Sequence, residues 1–127
     1  MMPTMPESIA IVSLPVTDPD AAKAFYVDML GFEVVRDNPM GPAQRWIELT
    51  PSGGGAHITL VTWFEKLSAG GQQGLVLRVD DVDARRAELA ERGVDVGEVQ
   101  TQPWGRFATF RDLDGNGWVI QQPPTRA

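Results

Sequence analysis

The segment that decides the fold is residues 14–24, LPVTDPDAAKA, because it recurs at residues 77–87 as LRVDDVDARRA. Without a gap, the two segments share one Leu, one Val, two Asp and two Ala at aligned positions. With one residue deleted, the match continues from GFEV at residues 31–34 to GVDV at residues 93–96. An internal repeat of this kind predicts two copies of one supersecondary unit.

The first copy reads as strand, helix and three further strands. Alternating apolar residues at 12, 14 and 16 indicate a strand, and the aspartates after it are typical helix N-caps. We expect a helix from about Asp20 to Leu30, ended by Gly31. The face that this helix buries is predicted to hold Ala21, Ala24, Phe25 and either Met29 or Leu30. The remaining strands are predicted at residues 32–36, 44–50 and 56–63, with a glycine-rich hairpin before the last.

The second copy repeats this order. The predicted elements are a strand at 75–79, a helix that starts within 80–83 and continues over 84–92, a strand beginning at 94–96, and a hairpin of 106–112 and 117–122. A polar segment, residues 64–73, joins the copies. The chain is therefore predicted to be one α+β domain over residues 1–127, made of two tandem βαβββ modules at 9–63 and 74–122. Because a helix covers only one face of each sheet, the open faces should form a cupped mixed sheet around one cleft.

Composition excludes several classes of function. The chain has no cysteine, so disulfides, thiolate metal sites and thiol nucleophiles are absent. A net charge of −6, from 11 basic and 17 acidic residues, argues against nucleic acid and favours a cationic ligand, or else serves solubility. With no apolar run long enough for a membrane span and no signal-peptide pattern, we expect a cytoplasmic protein.

Several motifs occur in an order that resembles the vicinal oxygen chelate superfamily, the group of glyoxalases, bleomycin-resistance proteins and extradiol dioxygenases. The motifs are Val16-Thr17-Asp18, Phe25-Tyr26, Leu30-Gly31-Phe32, Val79-Asp80-Asp81-Val82-Asp83, Gly93-Val94, Gln102-Pro103-Trp104-Gly105-Arg106 and 110–117, FRDLDGNG. Together they span residues 9–122. The resemblance implies the paired-module fold and does not specify a reaction.

The same resemblance implies where a divalent metal would be bound. Enzymes of the superfamily use His, Glu or Gln side chains on four cleft-facing strands. The corresponding positions here are Ile11, Gly74, Val119, and Thr59 or, in another register, Glu48. Ile, Gly and Val carry no metal donor, so a metal site and a metal cofactor are not expected.

This pattern is similar to the antibiotic-sequestering branch typified by bleomycin-resistance proteins, in which two subunits form the clefts. The leading hypothesis is a metal-independent binding protein for an aromatic or cationic small molecule such as an antibiotic, acting as a homodimer. One alternative is a metal-dependent lyase or dioxygenase with Glu48 and His57 as a reduced site. Another is an accessory interaction domain with a vestigial cleft.

Seven residues are the candidates for ligand binding. Alternation along the strands places them on the face away from the helices, and they are Ser13, Trp46, Glu48, His57, Trp104, Arg106 and Gln121. The two indoles would stack on a flat or cationic ligand, whereas Trp118 is expected to pack under a helix. Arg106 is either a ligand contact or the ion-pair partner of Glu48. His57 is a cleft donor, a rim residue or a base oriented by Glu48.

Overall fold

The computed structural model of the chain describes residues 6–42 and 44–124. The strands are β1 (Ile11–Pro15), β2 (Glu33–Pro39), β3 (Arg45–Thr50), β4 (His57–Val61), β5 (Leu75–Arg78), β6 (Gln100–Gln102), β7 (Gly105–Arg111) and β8 (Gly117–Gln122). The helices are α1 (Pro19–Ala24), which continues as a π-helical segment (Phe25–Met29), and α2 (Val82–Glu91). Within the described ranges, no helix has the length and apolarity needed to cross a bilayer.

The strands form two four-stranded mixed sheets with the same order. The first runs β1-β4-β3-β2 and the second β5-β8-β7-β6. In each, the first strand pairs in parallel with the fourth, and the other pairings are antiparallel. We call residues 11–61 the first module and residues 75–122 the second. The predicted α+β fold of two tandem βαβββ units is thereby confirmed.

The repeated aspartates are the reason that both helices begin where they do. Asp18 accepts hydrogen bonds from the backbone N–H groups of Asp20 and Ala21, and Asp81 accepts one from Ala84. Each carboxylate satisfies backbone donors that the first helical turn leaves unpaired, and its negative charge suits the helix N-terminus. The N-cap residues predicted from the repeat thus have the same structural role in both modules.

Two local expectations were wrong. Ala21 and Ala24 are exposed, and the buried face of the first helical segment consists of Ala22, Phe25, Tyr26 and Leu30. The helix is rotated relative to the expectation because Tyr26 is buried, with its hydroxyl bonded to Asp112. Residues 94–96 are not a strand: Val94 and Val96 reach the core, but the backbone joins a sheet only at β6.

The two modules share one core, and it includes Tyr26 and Trp118, which with the buried Asp112 and Asn116 form a hydrogen-bonded group called here the buried polar cluster. The Tyr26 hydroxyl donates to Asp112 Oδ2 at 2.6 Å and accepts from Trp118 Nε1 at 2.9 Å. Asn116 Nδ2 donates to Asp112 at 2.8 Å and to the Pro15 carbonyl at 2.9 Å. Burial, together with the Asp112 carboxylate, raises the pKa of Tyr26, so its hydroxyl remains a donor.

Removing one hydrogen-bond donor from the buried polar cluster should lower the stability of the whole domain. Tyr26→Phe leaves the Trp118 indole N–H and one Asp112 oxygen without the tyrosine hydroxyl, while the ring still fills its space. We expect the free energy of unfolding to fall by about 1–3 kcal/mol, measured by urea denaturation. Thr50→Val is the matched control, because the Thr50 hydroxyl donates only to the adjacent Pro51 carbonyl. An equal loss of unfolding free energy in the two variants would contradict a special role for the buried polar cluster.

Candidate ligand-binding site

The strand register divides the residues of the first sheet between its two faces. Leu14, Leu49, Ile58 and Leu60 are buried in the core, on the face that α1 covers. Neighbouring positions alternate, so the opposite face, called here the open face, carries the side chains of a first-sheet cluster. Its members are Ser13, Trp46, Glu48, His57 and Thr59.

Glu48 is the centre of the first-sheet cluster. Although it lies on the open face, it is only 7% exposed. Its Oε1 accepts a hydrogen bond from Trp46 Nε1 at 3.1 Å, and its Oε2 is 2.5 Å from His57 Nδ1. Beside it, the hydroxyls of Ser13 and Thr59 are 3.2 Å apart. The structure thus brings together four of the seven candidates, Ser13, Trp46, Glu48 and His57.

These contacts set the charge of Glu48. The hydrogen bond with His57 is the largest of the effects that lower its pKa, and the Trp46 N–H and the charges of His57 and Arg36 act in the same direction. Burial opposes them without cancelling them. Glu48 is therefore an anion at neutral pH, held between an indole and an imidazole.

The open face of the second sheet carries a second-sheet cluster of Trp104, Phe107 and Gln121. Phe107 and Gln121 are directly paired across β7 and β8. Trp104, in the turn before β7, stacks on Phe107 with ring centroids 5.0 Å apart and planes 21° apart. Sequence reasoning missed Phe107. Counting back from Ala108 and Phe110, which face the core, would have placed it on the open face.

Arg106 is not the partner of Glu48. Its guanidinium contacts Asp83 of α2, with Nη1–Oδ2 and Nη2–Oδ1 distances of 2.5 and 3.2 Å. The reason is strand alternation. Arg106, Ala108 and Phe110 are two residues apart in turn, so all three lie on the helix-facing side of β7. The expected grouping of Trp46, Glu48, His57, Trp104 and Arg106 in one cavity is therefore not formed within the chain. Among the contacts of the described residues, none joins the first-sheet cluster to the second-sheet cluster.

Two cavities lie near these clusters. The larger, about 800 Å³, is lined by residues of both modules, among them Val12, Ile58, Leu77 and Trp118, and also by His57 of the first-sheet cluster. We call it the intermodule cavity. The other, about 770 Å³, lies on the second sheet and is lined by Gly74, Thr109, Arg111 and Val119, among others. Trp118 is buried, as predicted.

The residues present do not fit the divalent metal that the resemblance implies. Ile11 and Val119 supply hydrocarbon, Gly74 supplies no side chain, and Thr59 is buried against Ser13. The remaining donors, Glu48 and His57, are hydrogen-bonded to each other. Over residues 6–42 and 44–124, no three His, Cys, Asp or Glu side chains come close enough to hold a metal ion. Even with both Glu48 and His57 as ligands, a metal bound here would gain two protein donors, fewer than the three or four that such sites use.

The lowered pKa of Glu48 predicts a pH-dependent contribution to stability. A carboxyl whose folded pKa lies below its ordinary value near 4.5 stabilises the fold above that pH. The contribution is lost as the pH falls through the lowered folded value. Glu48→Gln should therefore cost about 1–3 kcal/mol at pH 7 and make unfolding less steeply dependent on pH below about 4.5.

Urea denaturation from pH 7 to pH 3 measures this difference. Glu33→Gln, at an exposed glutamate of the same sheet, is the matched control for loss of one carboxylate. Parallel stability curves for wild type and Glu48→Gln across that range would show that the Glu48 pairing contributes nothing to the acid response.

Comparison with known proteins agrees with this geometry. A profile of the Glyoxalase/Bleomycin resistance protein/Dioxygenase superfamily matches residues 8–120. Crystal structures of two proteins from Streptomyces sp. CB03234 superimpose well. One, TnmS3, described as an antibiotic binding protein, has a TM-score of 0.89 and 42% identity over 95% of this chain and 99% of its own. The other, a glyoxalase/bleomycin resistance protein, has a TM-score of 0.82 and 45% identity over 91% and 100%.

A relative from Bacillus subtilis, the uncharacterized protein YetH, is 31% identical over 93% of this chain and 100% of its own. The order of motifs, the paired sheets and these alignments lead to the same assignment. The chain belongs to the Glyoxalase/Bleomycin resistance protein/Dioxygenase superfamily.

Proposed function

We propose that the protein binds a flat aromatic or cationic small molecule on the open faces of its sheets, without a metal, and so sequesters a compound of antibiotic type. The observation that carries this proposal is the exposed indole of Trp104. It is 52% exposed although it is stacked on Phe107. Because one face of this stacked aromatic pair is towards solvent, a planar ligand can stack on the pair in the same way.

Charge supports a cationic group on the ligand. The chain carries −6 overall, and the buried Glu48 carboxylate adds a fixed negative charge on the other open face. A cation gains both from this charge and from the faces of the indoles. The likeness to TnmS3 supports an antibiotic as the ligand class, since antibiotic binding is what that protein is described as doing.

The alternative is a metal-dependent lyase or dioxygenase built on Glu48 and His57. The 2.5 Å contact between Glu48 and His57 favours this alternative, because it brings a carboxylate and an imidazole together. The positions of Ile11, Gly74 and Val119 argue against it, because no further ligands surround the pair. Binding that is indifferent to chelators and to added metal distinguishes the proposed function from this alternative.

A homodimer would bring the two clusters together. Within each described sheet, β1 and β5 are edge strands, and they expose Ile11 (39%) and Val76 (54%). Unpaired strand edges with apolar side chains are sites where another chain pairs. We propose that the first-sheet cluster of one protomer faces the second-sheet cluster of its partner, so that each dimer has two composite clefts.

The stacking role of Trp104 can be tested with proflavine, a planar aromatic cation. Trp104→Ala should weaken binding by about 0.5–2 kcal/mol, measured by quenching of the remaining tryptophans, because the stacking partner is lost. The melting temperature should barely change, since half of the indole is exposed. Trp63→Ala, the same change in the polar linker, is the matched control.

Adding EDTA or zinc should leave the proflavine affinity of the wild-type protein unchanged. Two results would count against the proposal. Affinity that depends on the added metal would favour the enzyme alternative. Equal binding by Trp104→Ala and wild type would remove Trp104 from the site.

The dimer is tested by sedimentation equilibrium at micromolar concentration, where we expect twice the chain mass. Val76→Lys places a charge on the exposed edge of β5, and it should shift the population towards the monomer because charged edge residues oppose strand pairing. Leu113→Lys is the matched control, at an exposed leucine of the β7–β8 turn, which lies outside every strand. A wild-type monomer under these conditions would contradict the composite cleft.

A further inference from the structure

The intermodule cavity combines an apolar floor with a basic rim. Its floor includes core residues of both modules and leucines packed against them, namely Phe32, Ile58, Trp118, Leu75 and Leu77. At about 800 Å³ it is in the size range of sites for drug-sized molecules. The cavity is distinct from the Trp104–Phe107 surface, neither of whose rings is among its lining residues.

Three arginines, Arg78, Arg85 and Arg92, are among the residues that line this cavity, together with one acidic residue, Asp80. The excess of positive charge is notable because the chain as a whole has 17 acidic and 11 basic residues. A locally basic cavity in an acidic protein is not explained by general surface composition. It indicates an anionic group in whatever the cavity binds.

Two of these arginines are already held in place by the fold. Arg85 Nη2 donates to the Leu30 carbonyl at 2.5 Å, and Arg92 Nη1 donates to the Met29 carbonyl at 3.0 Å. Both bonds join α2 to the end of the π-helical segment, where cations stabilise the unpaired carbonyls. A guanidinium has five N–H donors, so these bonds and the Arg85–Glu88 contact leave donors for a ligand.

Arg78 lacks such a structural role. Among the described residues it makes no side-chain hydrogen bond or ion pair, and it lies exposed on β5 at the cavity. Glycines 53–55 of the β3–β4 hairpin also line the cavity, and they have open space where a side chain would stand. The cavity thus offers both an uncommitted cation and accessible backbone.

We propose that the intermodule cavity is a second ligand site, one that binds small amphipathic organic anions. The apolar body of the ligand lies against the shared core, and its carboxylate, sulfonate or phosphate is held by the arginines of the rim. Arg78 and Arg92 recognise the charge, because both are exposed at the rim. This site has the opposite charge preference to the open-face site.

The probe for this proposal is 8-anilinonaphthalene-1-sulfonate, whose fluorescence rises in apolar surroundings. We expect saturable binding of one dye per chain to the folded protein, weakened by sodium chloride. Arg78→Gln and Arg92→Gln should each lower the affinity by about threefold to tenfold, as for the loss of one charge-assisted contact near solvent. Lys66→Gln, which removes one positive charge outside the cavity, is the matched control and should leave the affinity unchanged. Circular dichroism and cooperative urea unfolding confirm that each variant is folded.

The uncharged analogue N-phenyl-1-naphthylamine distinguishes binding to the apolar floor from binding of the sulfonate to the arginines of the rim. It should bind wild type and Arg78→Gln equally, because it has no sulfonate. Octanoate should displace the sulfonate dye, and octyltrimethylammonium should not. Unchanged dye affinity in both arginine variants, or equal displacement by the two octyl compounds, would overturn the proposal.

The same variants distinguish a failure of this second site from a failure of the proposed open-face site. Trp104→Ala should leave dye binding unchanged, since Trp104 is outside this cavity. If Trp104→Ala abolishes dye binding while Arg78→Gln does not, the dye occupies the open-face site, and the second site is refuted. Proflavine binding that fails while the dye binds as described would refute the open-face site alone.

Discussion

The hydrogen bonds of Asp112 hold the two modules to each other. This carboxylate is buried, and a buried carboxylate is tolerated only where donors surround it. One donor is the Tyr26 hydroxyl of the first module. The others come from the turn that follows Asp112, from the backbone of Asp114 and Asn116 and from the Asn116 side chain. Asn116 in turn donates to Pro15 at the end of β1. The ends of β1, of the first helical segment and of the β7–β8 hairpin are therefore fixed together.

That constraint determines which faces of the sheets remain open. Once the helix-facing residues of both sheets are committed to one core, strand alternation sends the intervening side chains outwards. Glu48 is pointed away from the core in this way. Trp46, two residues earlier on β3, and His57 on the neighbouring β4 supply its partners. In the second sheet the same alternation exposes Phe107, on which Trp104 stacks. The site is thus a consequence of how the core is packed.

Repetition and alternation made most of the fold predictable from the sequence. The duplicated segment gave both modules and their order, and its aspartates are the helix N-caps. The same reasoning placed Ser13, Trp46 and Glu48 on one face, where the structure finds them together. The register of an alternating strand is the strongest constraint that a sequence of this kind contains.

The sequence did not predict the pairings that depend on tertiary structure. Tyr26 was not among the residues expected in the core, and the Asp112 carboxylate that accepts its hydrogen bond there lies 86 positions away. Arg106 was expected on the open face, as a ligand contact or as the partner of Glu48, although it lies two positions from Ala108 and so shares the face of that residue. Asp83 of α2, which neutralises it on the covered side, comes close only when the helix packs. The separation of the two clusters within one chain likewise depends on the packing of the modules.

The account rests on the claim that the open faces bind a flat ligand and hold no metal, and a crystal structure tests that claim most directly. Crystals would be grown with proflavine and excess zinc, and data collected on both sides of the zinc absorption edge. We predict a planar ring stacked on Trp104, and no anomalous peak between Glu48 and His57. A strong peak bound by these two side chains, with no dye beside Trp104, would contradict the account.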